Sequence, residues 1–358
     1  RDCFFSDNEA FHGAGIGNAG GSIDIEAHSP LTVANNVLAT GNITLVAGNN
    51  GASAGDNLTL AADVASGGDI VFKAGDDILQ NSGTVVTLGG TITATADTEG
   101  NGSGAFTQAV GTAFASNGGN ITVASSGNAA IADLDASGTP TNGDVSVTSK
   151  HGAITDADLG AVPTDYDITA NNVTLSAATG IGGASPAEID LSVNKVVAAT
   201  TATGGIYLGN NKALTIVKIE AGSGNIVVKL AGGDMKLGEV KADNGGVDLE
   251  TANGSIIDNN GAATNLWATA GSTLAAHGGM VGSVDGPLEV HVVGGRLSVL
   301  ATEGYHLISV DINGVVEPSN TLDALNTPPG LIVFNNRMLG GGIIEKVYRA
   351  TLTDSQIS

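Results

Sequence analysis

The chain has few of the residues that mark several common protein classes. Of its 358 residues one is Cys (Cys3) and 8 are Pro, while aromatic residues make up 3 % and charged residues 14 %. A single cysteine cannot form an internal disulfide, and collagen needs abundant Pro with Gly at every third position. No apolar run reaches the length of about 18 residues that a membrane-spanning helix requires. Disordered chains combine high charge with little hydrophobic content, and this chain, 42 % hydrophobic, shows the reverse.

The charge balance is strongly acidic. There are 13 Lys and Arg residues against 36 Asp and Glu residues, a formal net charge of −23. Phosphate binding needs clustered basic side chains, so the balance argues against a nucleic-acid partner. It also opposes adsorption to anionic membranes, and we expect no membrane insertion. The chain opens Arg1-Asp2-Cys3 without Met or an apolar signal segment, which predicts a mature or excised piece of a longer product.

Glycine is abundant, with 54 residues, and it introduces a short phrase that recurs along the chain. After Gly or Asn, three to six residues alternate apolar and small polar side chains. Such period-two alternation between turn residues is typical of short, half-buried strands. The phrases are GGSIDIEA (20–27), TGNITLVA (40–47), GDNLTLAA (55–62), GGDIVFKA (67–74), GGTITATA (89–96), GGNITVAS (118–125), NGDVSVTS (142–149), NNVTLSA (171–177), GNIVVKLA (224–231), GGDMKLGE (232–239), GGVDLETA (245–252), GPLEVHV (286–292) and GGRLSVLA (294–301).

A second, weaker phrase lies between these and carries Ile or Leu beside Asp. Two alternating strand types predict a solenoid whose coil contains two or three short strands. Asn tolerates positive φ and stacked Asn side chains can form hydrogen-bonded ladders, so we expect the six Asn-Asn pairs at coil corners. The second phrase occurs at 75–85, 151–160, 180–191 and 254–264, and the Asn pairs at 35–36, 49–50, 171–172, 210–211, 259–260 and 335–336.

The pattern predicts an all-β fold, a parallel β-helix or β-solenoid with a distinct C-terminal β segment. Each coil exposes strand edges that only neighbouring coils can pair. We expect coils of about 22–28 residues. Their inward Ile, Val, Leu and Ala are small enough to fill a narrow core without aromatics. A β-sandwich is the competing interpretation, but a sandwich of this length normally has more aromatic residues and fewer glycines.

The phrases GxITLxA, GDDILQ and GGTITATAD also resemble those of the filamentous haemagglutinin-type exoproteins. The resemblance covers roughly residues 15–310 and is one of composition and rhythm. It implies a right-handed β-helix and a secreted or cell-surface location on a bacterium, with export by two-partner secretion. The amino-terminal secretion domain of that family is not evident in the chain.

The two ends differ from the repeats, and we divide the chain into residues 1–18, 19–303 and 304–358. The first segment carries three of the seven Phe residues and is predicted to be a cap or docking surface. The repeats occupy the second. In the third, two strand-like runs follow a Pro-Pro-Gly break, and they either cap the final coil or pair with another subunit. The residues proposed for self-association are Phe4, Phe5, Phe11, Leu331, Ile332, Val333, Phe334, Ile343, Ile344, Val347 and Tyr348.

The sequence carries no convincing catalytic or metal-binding motif. GIGNAG (15–20) matches a dinucleotide-binding pattern but lacks the preceding strand and following helix. Asp76-Asp77 and His151-Gly152 superficially resemble elements of pectin hydrolases, but the Arg-x-Lys element is missing and the two should lie about three coils apart. The six His residues are scattered, and Asp-rich turns could at most hold Ca²⁺ weakly. We therefore predict no enzyme activity, no catalytic residue, no cofactor and no metal ligand.

These observations favour an extracellular structural protein, a β-solenoid subunit of a surface filament, sheath or adhesin. Its expected partner is itself, in a head-to-tail homopolymer, since a heterologous contact of that kind makes an open filament. Two alternatives remain. One is a monomeric adhesin arm that binds a cell-surface glycan or protein with one face, and the other is a polysaccharide-active β-helix enzyme.

Overall fold

The structure is a computed structural model. It describes residues 3–6, 16–18, 20–28, 30–48, 55–159, 166–293, 295–310, 316–325, 330–336 and 347–348. These residues form strands, turns and bends and contain no helix. The chain divides into two compact units, Arg1–Val193 and Asn194–Ser358, which we call unit 1 and unit 2.

The described residues of unit 1 form 23 short strands, most of them three to five residues long. In chain order they are β1 (Cys3–Ser6), β2 (Ile16–Asn18), β3 (Ile23–Ala27), β4 (Leu31–Val33), β5 (Val37–Ala39), β6 (Ile43–Ala47), β7 (Leu58–Leu60), β8 (Val64–Ser66), β9 (Ile70–Ala74), β10 (Ile78–Gln80), β11 (Thr84–Thr87), β12 (Ile92–Thr95), β13 (Phe106–Gln108), β14 (Ala113–Ala115), β15 (Ile121–Ser125), β16 (Ala129–Ile131), β17 (Leu134–Asp135), β18 (Val145–Ser149), β19 (Ala153–Asp156), β20 (Ile168–Thr169), β21 (Asn172–Ala177), β22 (Gly180–Ile181) and β23 (Ile189–Ser192).

These strands stack as a parallel β-solenoid with three strands per coil, within the predicted range. The first face is the ladder β1-β3-β6-β9-β12-β15-β18-β21. The second is β4-β7-β10-β13-β16-β19-β22, and the third is β2-β5-β8-β11-β14-β17-β20-β23. On the first face, partners in successive coils are separated by 20 positions (Ile23 and Ile43) to 29 positions (Ile92 and Ile121), close to the expected repeat, whereas Leu134 and Ile168 on the third face are 34 positions apart.

Alternate residues of each strand form columns of buried side chains. On the first face one column runs Ile23, Ile43, Ile70, Ile92, Ile121, Val145 and Val173, all in register and almost fully buried. The expectation of a core without aromatics is wrong, because Phe72, Phe106 and Phe114 are completely buried. Phe72 fits because its partner in the next coil is Ala94, so a small side chain adjoins a large one.

Side-chain acceptors at the corners join each coil to the next. Before the first face, the Asn42 N–H donates to Ser22 Oγ (3.0 Å), the Asp69 N–H to Asn42 Oδ1 (2.9 Å) and the Thr91 N–H to Asp69 Oδ1 (2.7 Å). We call such a series a corner ladder. It satisfies the backbone donor that precedes each strand, where no strand ladder reaches.

The other two corners repeat the arrangement. Asp63 and Thr84 donate their N–H groups to Asn36 and Asp63 before the third face. The Asn pairs were expected to build these ladders, but single Asn and Asp residues supply most of the acceptors. Asn36 and Asn172 take part, residues 335–336 lie in a strand, and residues 49–50 lie outside the described part of the chain.

Glycine recurs at the position before the first corner ladder for a steric reason. Gly68, Gly90, Gly119 and Gly143 form a column through successive coils. A Cβ on Gly90 would overlap the carbonyl oxygen of Gly68, one on Gly119 that of Gly90, and one on Gly143 that of Gly119. The repeated glycine therefore permits the backbones of adjacent coils to approach closely.

Unit 2 contains the remaining strands, and its first coils have two longer strands each. They are β24 (Lys195–Thr201), β25 (Ile206–Asn210), β26 (Leu214–Ala221), β27 (Ile226–Leu230), β28 (Met235–Ala242), β29 (Val247–Thr251), β30 (Ile256–Asp258), β31 (Leu266–Ala268), β32 (Ser272–Ala276), β33 (Met280–Val281), β34 (Leu288–Val292), β35 (Gly295–Ala301), β36 (Gly304–Val310), β37 (Val316–Leu325), β38 (Gly330–Asn336) and β39 (Val347–Tyr348).

Unit 2 is also a parallel solenoid up to β36. One face is β25-β27-β29-β32-β35. The other face begins as β24-β26-β28. It then divides, because β28 pairs with both β30 and β31. The strand β30 pairs with β33 and β31 pairs with β34, and both β33 and β34 pair with β36. The last strands are antiparallel, with β37 on β36, β38 on β35 and β39 on β38.

Candidate functional site

The described residues among those predicted for self-association belong to the first strand of unit 1 and the last strands of unit 2. Phe4 and Phe5 belong to β1, which pairs with β3. Leu331, Ile332, Val333 and Phe334 belong to β38, and Val347 and Tyr348 form β39. Phe11, Ile343 and Ile344 lie outside the described residues. Pairing with another subunit stays a prediction for all of them.

The backbone of β38 pairs with the last parallel strand of its own chain. Leu331 lies opposite Leu300 and Phe334 opposite Leu297 in an antiparallel register. This is the arrangement expected of the capping alternative, since β38 covers the edge of β35. At the start of the first face of unit 1, β1 pairs with β3 alone among the described strands.

Asp77 is a member of a corner ladder. Its N–H donates to Asn57 Oδ1 (2.9 Å), and its Oδ1 accepts the N–H of Ala105 (2.8 Å). Both interactions join coils through the backbone, so the geometry gives Asp77 a structural role.

Asp76 is held by hydrogen bonds from the neighbouring coils. Its carboxylate accepts the N–H groups of Gly55 and Asp56 and the side-chain amide of Asn101. Burial acts to raise the pKa of Asp76, but these hydrogen bonds outweigh it and lower the pKa from its ordinary value.

Asp76 and His151 are separated as the sequence predicts. Asp76 follows β9 and His151 follows β18, with β12 and β15 stacked between them. Three steps of about 4.8 Å place these levels about 14 Å apart. Paired catalytic carboxyl groups of glycosidases lie within about 10 Å.

Three carboxylates meet at the corner between β19 and β20. One oxygen each of Asp156, Asp158 and Asp167 lies within 4.8 Å of the other two. Asp156 ends β19, and Asp167 directly precedes β20. We call these three residues the acidic corner.

Backbone donors fix two of the three side chains. Asp156 Oδ1 accepts the N–H groups of Asp158 (2.8 Å) and Leu159 (2.9 Å), while Asp167 Oδ2 accepts the N–H of Asp190 (2.7 Å) in the next coil. The remaining oxygens, Asp156 Oδ2 and Asp167 Oδ1, are buried and accept no hydrogen bond. Asp167 is only 3 % exposed, so one of its oxygens lies in the protein interior without a donor.

The surroundings of Asp167 in the acidic corner disfavour the negative charge of its carboxylate. Burial raises the pKa of Asp167 to about 9, and the carboxylates of Asp156, Asp158 and Asp190 contribute in the same direction. The Asp190 N–H opposes this shift but does not overcome it. Without a counter-charge, Asp167 is protonated at neutral pH.

The sequence analysis missed the acidic corner and predicted no metal ligand. The available signal was Asp156-x-Asp158 followed by Asp167, within the second type of phrase. That spacing alone resembles the other Asp-rich turns. The corner depends on Asp167 returning to the end of β19 after a long connection, which the sequence does not specify.

A second buried carboxyl group lies in unit 2. Glu289 is 4 % exposed, and its Oε2 accepts no hydrogen bond. Its N–H donates to the side-chain oxygen of the fully buried Asn265 (2.9 Å), which also contacts Asp258. Burial, with the Asp258 carboxylate, raises the pKa of Glu289 to about 7. This network lies where the divided face of unit 2 has two short strands per coil.

Within the described residues, no helix is long and apolar enough to span a membrane. No protein family, no curated protein and no solved structure matches the chain.

Proposed function

We propose that the chain is an extracellular structural protein, a β-solenoid subunit of a bacterial surface filament, sheath or adhesin that assembles end to end. The proposal assigns it no catalytic step. The observation that carries it is an edge at the start of unit 1 that no further described strand pairs with. Among the described strands, β1 pairs only with β3 and β2 only with β5. Such an edge presents backbone donors and acceptors to another chain.

Charge disfavours a contact between two copies of unit 1. Unit 1 contains 3 basic and 21 acidic residues, whereas unit 2 contains 10 basic and 15 acidic residues. Contact of unit 1 with unit 2 of another copy therefore brings less like charge together than contact between two copies of unit 1. The resemblance to filamentous haemagglutinin-type exoproteins supports secretion and a surface location.

The experiment blocks the exposed edge without disturbing the coil. The Ile16 N–H donates to the Asn36 oxygen, on the side of β5. Because successive N–H groups of a strand point to opposite sides, the Gly17 N–H points to the unpaired side. A Cβ on Gly17 meets nothing within 4 Å. Gly17→Pro removes the outward donor, and Gly17→Ala is the matched control that retains it.

Negative-stain electron microscopy across a concentration series is the measurement. We expect filaments from wild type and from Gly17→Ala, and short particles from Gly17→Pro with an unchanged far-UV circular dichroism spectrum. Removing 331–358 tests the other end, and we expect it to abolish assembly. Discrete particles from wild type at every concentration, or equal filaments from both Gly17 variants, would refute end-to-end assembly through this edge. Discrete wild-type particles would favour the monomeric adhesin arm.

A further inference from the structure

The acidic corner has the geometry of a cation site. Two oxygens that bind the same Ca²⁺ can lie no further apart than twice the metal–oxygen distance, about 4.8 Å. One oxygen from each of Asp156, Asp158 and Asp167 satisfies this limit for every pair. The pairwise spacing of the three carboxylates is therefore compatible with one shared ion.

The orphaned oxygen of Asp167 is the independent sign of a missing ligand. Asp167 is almost completely buried, and its Oδ1 accepts no hydrogen bond from the residues that the structure describes. Leaving a buried carboxylate oxygen without a partner is costly. The carboxylates of Asp156, Asp158 and Asp190 act on this side chain and disfavour its negative charge.

The position of the corner explains what a bound ion would do. In the preceding coil, β16 and β17 are joined by residues 132–133, whereas β19 and β20 are joined by residues 157–167. Asp156 and Asp167 mark the two ends of this longer connection. An ion between them would fix both ends at the distance that the coil requires, and insertions on one face of a repeat protein are often sites of binding.

We propose that Asp156, Asp158 and Asp167 bind a divalent cation, Ca²⁺, which closes the long corner between β19 and β20. The donor set selects the ion. All three ligands are hard oxygens, which Ca²⁺ prefers, whereas Zn²⁺ favours Cys and His. Ca²⁺ also accepts irregular geometry with water completing its shell, while Mg²⁺ demands a nearly ideal octahedron.

Isothermal titration of the EDTA-treated full chain with CaCl₂ tests the proposal. We expect one saturable site in wild type and at least tenfold weaker binding in Asp158→Asn and Asp167→Asn. Asp24→Asn is the matched control, because Asp24 is exposed on β3 and the substitution likewise replaces one carboxyl group by an amide. It should bind Ca²⁺ as wild type does.

Thermal unfolding supplies a second readout. The wild-type midpoint should rise with CaCl₂ concentration. The midpoint of Asp167→Asn should be higher than that of wild type in EDTA, because a poorly solvated carboxyl group is gone, and it should no longer respond to CaCl₂.

Three results would overturn the proposal. The first is no saturable heat up to about 10 mM CaCl₂, a concentration well above the range of weak extracellular Ca²⁺ sites. The second is equal affinity for Ca²⁺ in Asp24→Asn and Asp158→Asn. The third is binding of MgCl₂ as tight as that of CaCl₂. If Asp167→Asn does not fold, Asp158→Asn decides the matter. Running the filament assay in EDTA keeps its outcome separate from this one.

Discussion

A methyl group added to Gly119 tests the glycine column directly. The Cβ of Gly119→Ala would overlap the carbonyl oxygen of Gly90, a backbone atom that cannot rotate away. That oxygen also accepts a hydrogen bond from the Thr87 hydroxyl (2.7 Å), so displacing it weakens a partly buried hydrogen bond. The matched control is Gly20→Ala, where a Cβ meets nothing within 4 Å.

The expected magnitude follows from three effects. Overpacking against backbone costs about 1–3 kcal/mol, and the weakened hydrogen bond costs about 1 kcal/mol. Replacing Gly with Ala stabilises the folded protein by about 0.4–1 kcal/mol, because it lowers the conformational entropy of the unfolded chain. We therefore expect Gly119→Ala to lower the free energy of unfolding by about 1–3.5 kcal/mol and Gly20→Ala to leave it unchanged or slightly higher.

Urea denaturation followed by far-UV circular dichroism measures both variants. The denaturation midpoint of Gly119→Ala should fall while the slope is retained, because the surface exposed on unfolding is the same. A difference between the two variants below about 0.5 kcal/mol, the usual effect of an innocuous surface change, would refute the close approach of adjacent coils at this column.

Two further predictions concern buried side chains. Phe114→Ala should lower the free energy of unfolding, measured by urea denaturation, by about 3–5 kcal/mol, because the Phe114 ring packs against Phe106 (5.5 Å between centroids) and Phe72 (5.9 Å). The control is Leu88→Ala, at a side chain 78 % exposed, which should change stability by less than about 0.5 kcal/mol. Equal effects of the two variants would contradict the packing described. Folding raises the pKa of Glu289 to about 7, so the stability that its protonated form contributes is complete below the unfolded pKa and is lost as pH rises through about 7. Between pH 5 and 7 wild type should lose stability relative to Glu289→Gln, by no more than about 1.4 kcal/mol per pH unit. Parallel pH profiles of the two proteins would contradict this.

The strands of unit 1 were predictable because their signal is local. Phrases such as GGDIVFKA carry the Gly, the corner acceptor and the alternating apolar residues that the fold uses, so β9 is evident from residues 67–74 alone. The alternation of two phrase types predicts a coil of two or three strands, and unit 1 has three. The prediction of a parallel solenoid is confirmed.

Features that depend on partners in other coils were not predictable. Whether Phe72 fits in the core depends on Ala94 lying opposite it, which requires the register between coils. In unit 2 the same phrases no longer identify one face, since GNIVVKLA and GGDMKLGE form β27 and β28 on different sheets. The acidic corner likewise joins side chains across a connection that carries no repeat.

The corner ladders also make the length of unit 1 variable in discrete steps. Deleting residues 70–91, one complete coil, would join Asp69 to Ile92 and recreate the sequence Gly-Asx-Ile at the junction. Each coil bonds only to its neighbours, so the remaining coils keep their partners. In-frame gain or loss of a coil-sized segment is therefore the route by which related genes could encode longer or shorter proteins with the same core.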